Sequence, residues 1–425
     1  MRIERSTPLL AGFAVLAALA VWAQNAIIPF SMPFWGLFDY QFDLDVYRAG
    51  AQTVLDGGDL YRAKLLGQMD FTYAPISIVF FVPFAWLPAA AAHLLWTIGI
   101  FVALYQVILL SFRSLGHETT WTLRGIALSL VVVSTLLEPI RTTIWFGQIN
   151  IFLMLLILWD LLRGPDSRLR GAGAGLAAGI KLTPLLFAVY LALTRQWRAA
   201  ATLVGAFGVT VAVGFALLPR ASWDYWTETL LDSDRVASPQ TTGNQSIRGA
   251  IANLGQTDHP STVLWLLLAG IVGLLGLGAA ILAHRRGKEL LALSLVGMTS
   301  CAVSPVAWGH HWVWLLPMLV IGIHLLTTLP SMLGRGLVAA AVLGGFAFAV
   351  AWRHRLPYPI WYVNQSVDEA YLTGTFEKGA GHWYHFFTVQ PYNVILVVVA
   401  IAVIVAYGVG AGRERVCDAS VGSAG

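Results

Sequence analysis

Apolar stretches separated by short polar turns recur along this chain from about residue 9 to residue 411. Crossing a bilayer core takes about 20 helical residues, or about 17 at the short end. Stretches that meet or approach that length run around 9–29, 90–112, 124–138, 148–163, 200–218, 262–284, 289–304, 312–329, 334–352 and 393–411. The pattern predicts an all-α, polytopic membrane protein of about ten full spans, forming one integral membrane domain over residues 1–425.

Two further apolar segments, 72–88 and 172–194, do not fit as simple spans. Short loops rich in Arg mark the cytoplasmic side, and 161–170, 194–198 and 285–288 are such loops. Segment 172–194 begins after one of them and ends at another. It therefore has to enter and leave on the same side, turning near Lys181 and Pro184. Segment 72–88, with Pro75, Pro83 and Pro88, has to dip from outside and return. Non-helical backbone at that depth needs protein or a wet cavity around it. Twelve simple spans are the alternative count. The outer loops are then 30–71, 139–147, 219–261, 305–311 and 353–392. The N-terminal MRIERS followed by LLAGFAVLAALAVWA has the build of a signal peptide with a small-residue site near Ala23. With nine more spans downstream, it reads as an uncleaved first span.

Composition narrows the chemistry. Of 425 residues, 57% are apolar and only 11% charged, against roughly a quarter charged in soluble domains, so most of the surface faces lipid. The net charge of +4 sits in short loops beside apolar spans, which is topology and not a nucleic-acid stripe. Cys301 and Cys417 fall on opposite sides, so there is neither a disulfide framework nor metal spacing. No Walker-type phosphate loop, dinucleotide fingerprint, nucleophile elbow or HExxH is present. Mid-span acids of the kind a proton-coupled transporter needs are missing too. The energy for any reaction has to come from an activated substrate. Asn-Gln-Ser occurs at 244–246 and again at 364–366, both outside, where Asn-x-Ser also matches a glycosylation acceptor.

The polar residues with chemical potential gather on the outer side. Asp43 and Asp45, in FDLDVYRAGA, are either general-base candidates or solvated acids on an interfacial helix. If the stretch is helical, Asp43 and Tyr47 share a face and Asp45 points elsewhere. His310 and His311, in SPVAWGHHWVW, diverge by about 100°, so at most one faces a given site. They suit a hydrogen bond to phosphate, or equally an interfacial anchor, and lack the partners of a metal site. Arg141, Arg248 and Lys181 are candidates for grasping a lipid phosphate. Lys181, within the membrane, is the sharpest of these, against a structural reading in which it pairs with carbonyls freed near Pro184. Gln148 with Asn150, and Asn244 with Gln245, suit hydroxyl-rich ligands or serve as loop-end caps.

Six motifs, FDLDVY, FTYAP, EPIRTT…FGQIN, GIKLTP, NQSIRGAI and SPVAWGHHWVW, occur here in an order that resembles glycosyltransferase family 87. The similarity is greatest to its polyprenyl-phosphomannose-dependent alpha-1,2-mannosyltransferases of phosphatidylinositol mannoside and lipomannan synthesis. It covers about residues 39 to 315 and is lost over 353–392. The resemblance implies a GT-C fold with its cavity at the outer face of a plasma-membrane protein. Asp43 stands where such relatives carry the catalytic aspartate, and one of His310 and His311 lines the donor site. A polyprenyl-phosphate β-mannose donor and a lipid-anchored mannoside acceptor would react by inversion, with no cofactor or metal. Asp43 would take the proton of the acceptor hydroxyl. Arg141, Arg248, Lys181 or a histidine would stabilise the departing phosphate, with Tyr47, Trp145 and Trp308 stacking on sugars. Rival readings are a flippase for lipid-linked sugars and a GT-C enzyme using another sugar.

Overall fold

The computed structural model describes residues 3–232, 235–355, 370–378 and 385–421. A long α1 (Thr7–Ile27) leads to α2 (Phe42–Leu55), the short α3 (Ser77–Ala85) and the long α4 (Ala89–Ser114). Next come α5 (Trp121–Ser134), α6 (Glu138–Phe146) and α7 (Asn150–Leu161), the last two bent by 118° across Gly147. After α8 (Ala172–Ile180) and α9 (Leu186–Leu193) the chain rises through α10 (Trp197–Leu217). The following loop holds α11 (Pro219–Thr227) and α12 (Ile247–Gly255). Then come α13 (Thr262–Arg285), α14 (Glu289–Val303), α15 (Leu315–Thr328), α16 (Met332–Ala349), α17 (His385–Val389) and α18 (Pro391–Val421). One antiparallel ribbon, β1 (Trp352–Arg355) with β2 (Ala370–Thr373), interrupts an otherwise helical chain.

Each predicted span is helical, but the count of ten full spans is not what the helix lengths give. Among the described residues six helices are long and apolar enough to cross a bilayer, or seven if the bent pair α6–α7 is one span. Helices α5, α7, α14 and α15, at 14, 12, 15 and 14 residues, fall short because the backbone leaves the helix early at the end opposite the Arg-rich loops. The connection 139–147 is helical in the structure. It is the buried helix α6, begun by Pro139 in its first turn and ended by Gly147 at φ +69°. The ribbon in 353–392 was not foreseen, and the second Asn-Gln-Ser copy lies outside the described residues.

The two ends of the bundle differ as the charge pattern predicts. At one end Arg198 donates to the Ser167 carbonyl (3.0 Å), Arg170 bonds Gln196 and lies 3.7 Å from Glu289, and Arg286 donates to the Tyr407 carbonyl (3.0 Å). The Arg-rich loops 161–170, 194–198 and 285–288 therefore meet. Because Arg170 and Gln196 are bonded, α8 and α9 form a hairpin that starts and finishes at that end, with its break at Lys181. Segment 72–88 gives only the nine-residue α3, with Pro83 inside, held along α2 by Arg48.

The hairpin can rise beside α10 because Gly171, Gly175 and Gly179 recur every fourth residue. A Cβ on Gly175 would stand 2.3 Å from the Leu203 carbonyl oxygen. Small residues at this spacing let helix backbones approach closely where lipid supplies no hydrophobic drive. That packing carries Lys181 into the interior, at the end opposite the Arg-rich loops.

Candidate active site

Asp43 and Asp45 both stand in the first turn of α2, about 200° apart around the helix, and meet different partners. Asp45 Oδ1 accepts from Arg48 Nη1 (2.9 Å) and faces His93 Nε2 on α4 (2.9 Å). Arg48 also donates to the carbonyls of Phe84 (3.0 Å) and Leu87 (2.8 Å). Burial raises the Asp45 pKa, but His93 and Arg48 outweigh it and leave it below the usual carboxylate range. Asp45 thus clamps α2 onto the α3–α4 connection.

Asp43 Oδ2 accepts a hydrogen bond from Gln148 Nε2 (2.5 Å), just beyond the bend between α6 and α7. Gln148 Oε1 accepts in turn from the hydroxyls of Tyr47 (3.0 Å) and Tyr73 (3.2 Å). Two phenols on the oxygen leave the amide nitrogen pointing at the carboxylate, which fixes the amide orientation. Burial pushes the Asp43 pKa up to about 7, against the opposing pull of the Gln148 bond and the Lys181 charge. This carboxyl is therefore poised to take up a proton near neutrality. The rate in kcat/KM should rise with pH through a limb near 7, instead of near 4. A pH–rate profile checks this, and Asp43→Asn should erase the limb.

Lys181 Nζ donates to Asn150 Oδ1 (2.9 Å) and meets His311 Nε2 (2.8 Å), while Asn150 Nδ2 donates to the His310 carbonyl (3.0 Å). The structural alternative for Lys181, capping carbonyls freed at the break, is not what it does. Asn150 Nδ2 also reaches Gln148 Oε1 (3.4 Å), so one polar chain runs from Asp43 through Gln148 and Asn150 to Lys181 and His311. A cavity of about 30 Å³ lies beside Lys181, polar at Ser300 and apolar at Leu153, Phe187 and Trp314. It has room for a single water.

The two histidines separate clearly. They occupy a 3₁₀ turn, Gly309–His311, instead of a helix start. His311 Nδ1 accepts from the Trp308 amide (3.2 Å) and its Nε2 meets Lys181, whereas buried His310 Nε2 has no protein partner. Burial first, and then the Lys181 charge, hold both rings well below the usual histidine pKa, so both are neutral at pH 7. Beneath the turn lies Glu138, whose side chain takes hydrogen bonds from Thr142 Oγ1 (2.8 Å) and the Tyr392 hydroxyl. A Cβ on Gly309 would sit 2.5 Å from Glu138 Oε2, so only glycine lets the turn settle on this carboxylate.

Other expected site residues have different places. Asn244 and Gln245 are fully buried braces: Asn244 Oδ1 accepts from the Ala307 amide (3.1 Å), and the Gln245 amide donates to the Ala307 carbonyl (2.6 Å). They brace the histidine loop, the first through its side chain and the second through its backbone N–H, while the buried Gln245 Oε1 has no partner among the described residues. Tyr47 is 2% exposed and stacked on Phe81 at 4.4 Å, so its ring faces are closed to a sugar. Arg248 lies over Trp265, 6.0 Å from the ring centre. Trp145 and Trp308 remain half-buried, Trp145 stacked on Trp35 and Trp308 nearly parallel to His310. Arg141 is 4% exposed; its Nη2 reaches the Trp35 carbonyl (3.4 Å), and Nε and Nη1 have no protein partner. Sequence reasoning missed Tyr73, Glu138 and Tyr392, although FTYAP and EPIRTT contained the first two.

A buried base near neutrality, a lysine held in a polar chain and unpartnered guanidinium and imidazole nitrogens suit transfer of a group away from an anion. Comparison with known proteins points the same way. Residues 71–305 match the profile of Glycosyltransferase family 87. A "Polyprenol-phosphate-mannose-dependent alpha-(1-2)-phosphatidylinositol mannoside mannosyltransferase" of Mycobacterium tuberculosis is 38% identical over 68% of this chain and 72% of its own length. Its namesake in Mycolicibacterium smegmatis is 36% identical over 75% and 78%. A pentamannoside mannosyltransferase of the same dependence from M. smegmatis is 33% identical over 85% and 87%. No solved structure matches the chain. With more than half its length inside the profile and such relatives over two thirds of it or more, the chain belongs to glycosyltransferase family 87.

Proposed function

We propose that this glycosyltransferase moves mannose from a polyprenyl-phosphate donor to the 2-hydroxyl of a lipid-linked mannoside, forming an alpha-1,2 bond. The observation that carries this reading is the polar chain from Asp43 to Lys181 and His311, which puts a base and a cation on one connected site. The relatives' names supply the donor and the acceptor class.

A β-linked donor giving an α product needs one in-line displacement, so a single base is enough. Asp43 Oδ2 is held by Gln148, which leaves Oδ1 to take the acceptor proton as the hydroxyl oxygen attacks the anomeric carbon. The glycosidic C–O bond breaks, and the electron pair leaves on the phosphate. Lys181, the unpartnered His310 Nε2 and Arg141 meet that charge. Trp145 and Trp308 line the sugar approach. No cofactor is required, since the donor carries its own activation. The fold type proposed is GT-C, with the donor's tail among the apolar helices.

The site is proposed to face outward from the plasma membrane, because the Arg-rich loops meet at the opposite end. Leu66→Cys and Leu231→Cys, both at exposed positions, should react with an impermeant thiol reagent in intact cells. Leu169→Cys and Trp197→Cys should react only after lysis; labelling of these two in intact cells would reverse the orientation. The function itself is tested by incubating membranes with labelled polyprenyl-phosphate mannose and an alkyl α-mannoside. Label passing to the mannoside supports the proposal, and label passing only from another sugar donor overturns it.

A further inference from the structure

An open hollow of about 390 Å³ lies in the outer loop between α11 and α13, next to the active site but outside the Asp43–Lys181 chain. Its size falls within the roughly 300–1,000 Å³ of small-molecule sites. Among the described residues its polar lining includes Ser238, Gln240, Thr241, Thr242, Gln256 and Asp258, with Val389 of α17 as an apolar neighbour. Hydroxyls and carboxamides are the commonest groups, and Asp258 is the single charge among the described lining residues. A phosphate would meet a carboxylate with no cation beside it, and a lipid tail would meet polar atoms. A neutral polyhydroxylated ligand fits this lining, since each hydroxyl can both donate and accept.

Position ties the hollow to the reaction. Thr242 leads directly into Gly243, where a Cβ would lie 3.0 Å from the Trp308 ring, and Asn244 bridges to the Trp308 backbone. Trp308 in turn lies against His310, with ring centres 6.4 Å apart. The wall of the hollow and the aromatic face beside the histidines are thus two sides of one short segment. Gln256 adds a second observation. It ends α12 in the left-handed region at φ +47°, where glycine is the usual occupant. A glutamine held there is strained, and such strain collects at binding and catalytic sites.

We propose that this hollow is a second sugar subsite, holding the mannose units that precede the acceptor's terminal mannose. Resting on the mannosyl-transfer reading, this makes acceptor length a property of residues 238–258. The reacting mannose lies at Asp43, and the chain behind it passes Trp308 into the hollow.

The test uses the full-length protein with two acceptors, an alkyl monomannoside and an alkyl trimannoside. Gln240→Ala combined with Gln256→Gly removes two hydrogen-bonding side chains, and the ease of glycine in the left-handed backbone offsets the lost bond from Gln256 to the Asn253 carbonyl. Neutral hydrogen bonds of ordinary strength predict that KM for the trimannoside rises about tenfold, with kcat unchanged. KM for the monomannoside should stay as in the unsubstituted protein. Equal changes for both acceptors, or no change for either, would overturn the subsite. If the unsubstituted protein transfers mannose to neither acceptor, the proposed reaction fails and the subsite with it. Transfer with no dependence on length removes the subsite alone.

Discussion

Replacing Asp43 with Asn should lower turnover by about 10²- to 10⁴-fold while donor binding largely survives. The substitution keeps size and still lets Gln148 hydrogen-bond the side chain, through the carbonyl oxygen of the new amide. What is lost is the basic oxygen that receives the acceptor proton. Asp45→Asn gives the contrast. It weakens a clamp shared with Arg48 and His93, so it should cost some stability and only a modest part of the rate. Donor-binding and turnover measurements on both variants, under saturating donor, separate the two roles. Near-full turnover in Asp43→Asn, or a larger loss in Asp45→Asn, would remove Asp43 as the base.

The second large effect concerns the unpartnered nitrogens. Arg141 carries a buried guanidinium with Nε and Nη1 lacking protein partners, and His310 Nε2 is in the same position. An uncompensated buried charge or polar atom destabilises a fold unless a ligand satisfies it. Arg141→Met should therefore raise the unfolding temperature by a few degrees in ligand-free protein, while lowering kcat by about 10²- to 10³-fold. His310→Phe should lower the rate similarly without destabilising, since the ring is replaced by one of similar shape beside Phe146. His311→Phe is expected to differ, because His311 accepts from the Trp308 amide and packs 2.8 Å from Lys181, so stability and rate should fall together. Thermal unfolding and steady-state kinetics on the three variants read the split. A destabilised, fully active Arg141→Met would mean that the guanidinium serves packing alone.

Much of this architecture was legible before any coordinates. Apolar runs located the helices, and Arg-rich loops located the end at which 172–194 both starts and finishes, because charge and length act over the whole span. Helix lengths were not legible. The exits at Ser134, Gly147 and Val303 depend on the tertiary fit of α6 and the histidine turn, which no local periodicity encodes. The same division holds at the site. Asp43 and Lys181 stand out by residue type and position, but the partner of each is set by helices far apart in sequence. Helical register puts Tyr47 on the face of Asp43, and α2 keeps that register, but the sugar-stacking role that the resemblance implied for Tyr47 does not fit its burial. Its burial under Phe81 comes from α3 and its bond to Gln148 from the α6–α7 bend, neither of which sequence alone could dock. Asn244 and Gln245 likewise looked ligand-facing because they are polar and outside, whereas the Asn244 side chain takes the Ala307 amide and the Gln245 side chain donates to the Val389 carbonyl. His310 and His311 could be told apart only once the 3₁₀ turn gave one of them Lys181.

The central claim is a single displacement at the anomeric carbon with Asp43 as the only base. The most direct measurement is the configuration of the newly formed bond. Polyprenyl-phosphate β-mannose labelled with ¹³C at the anomeric carbon would be incubated with an α-mannoside acceptor, and the product linkage read by NMR. The account predicts an α-1,2 bond from the unsubstituted protein and almost no product from Asp43→Asn. A β-linked product, or labelled mannose attached covalently to the protein, would contradict it.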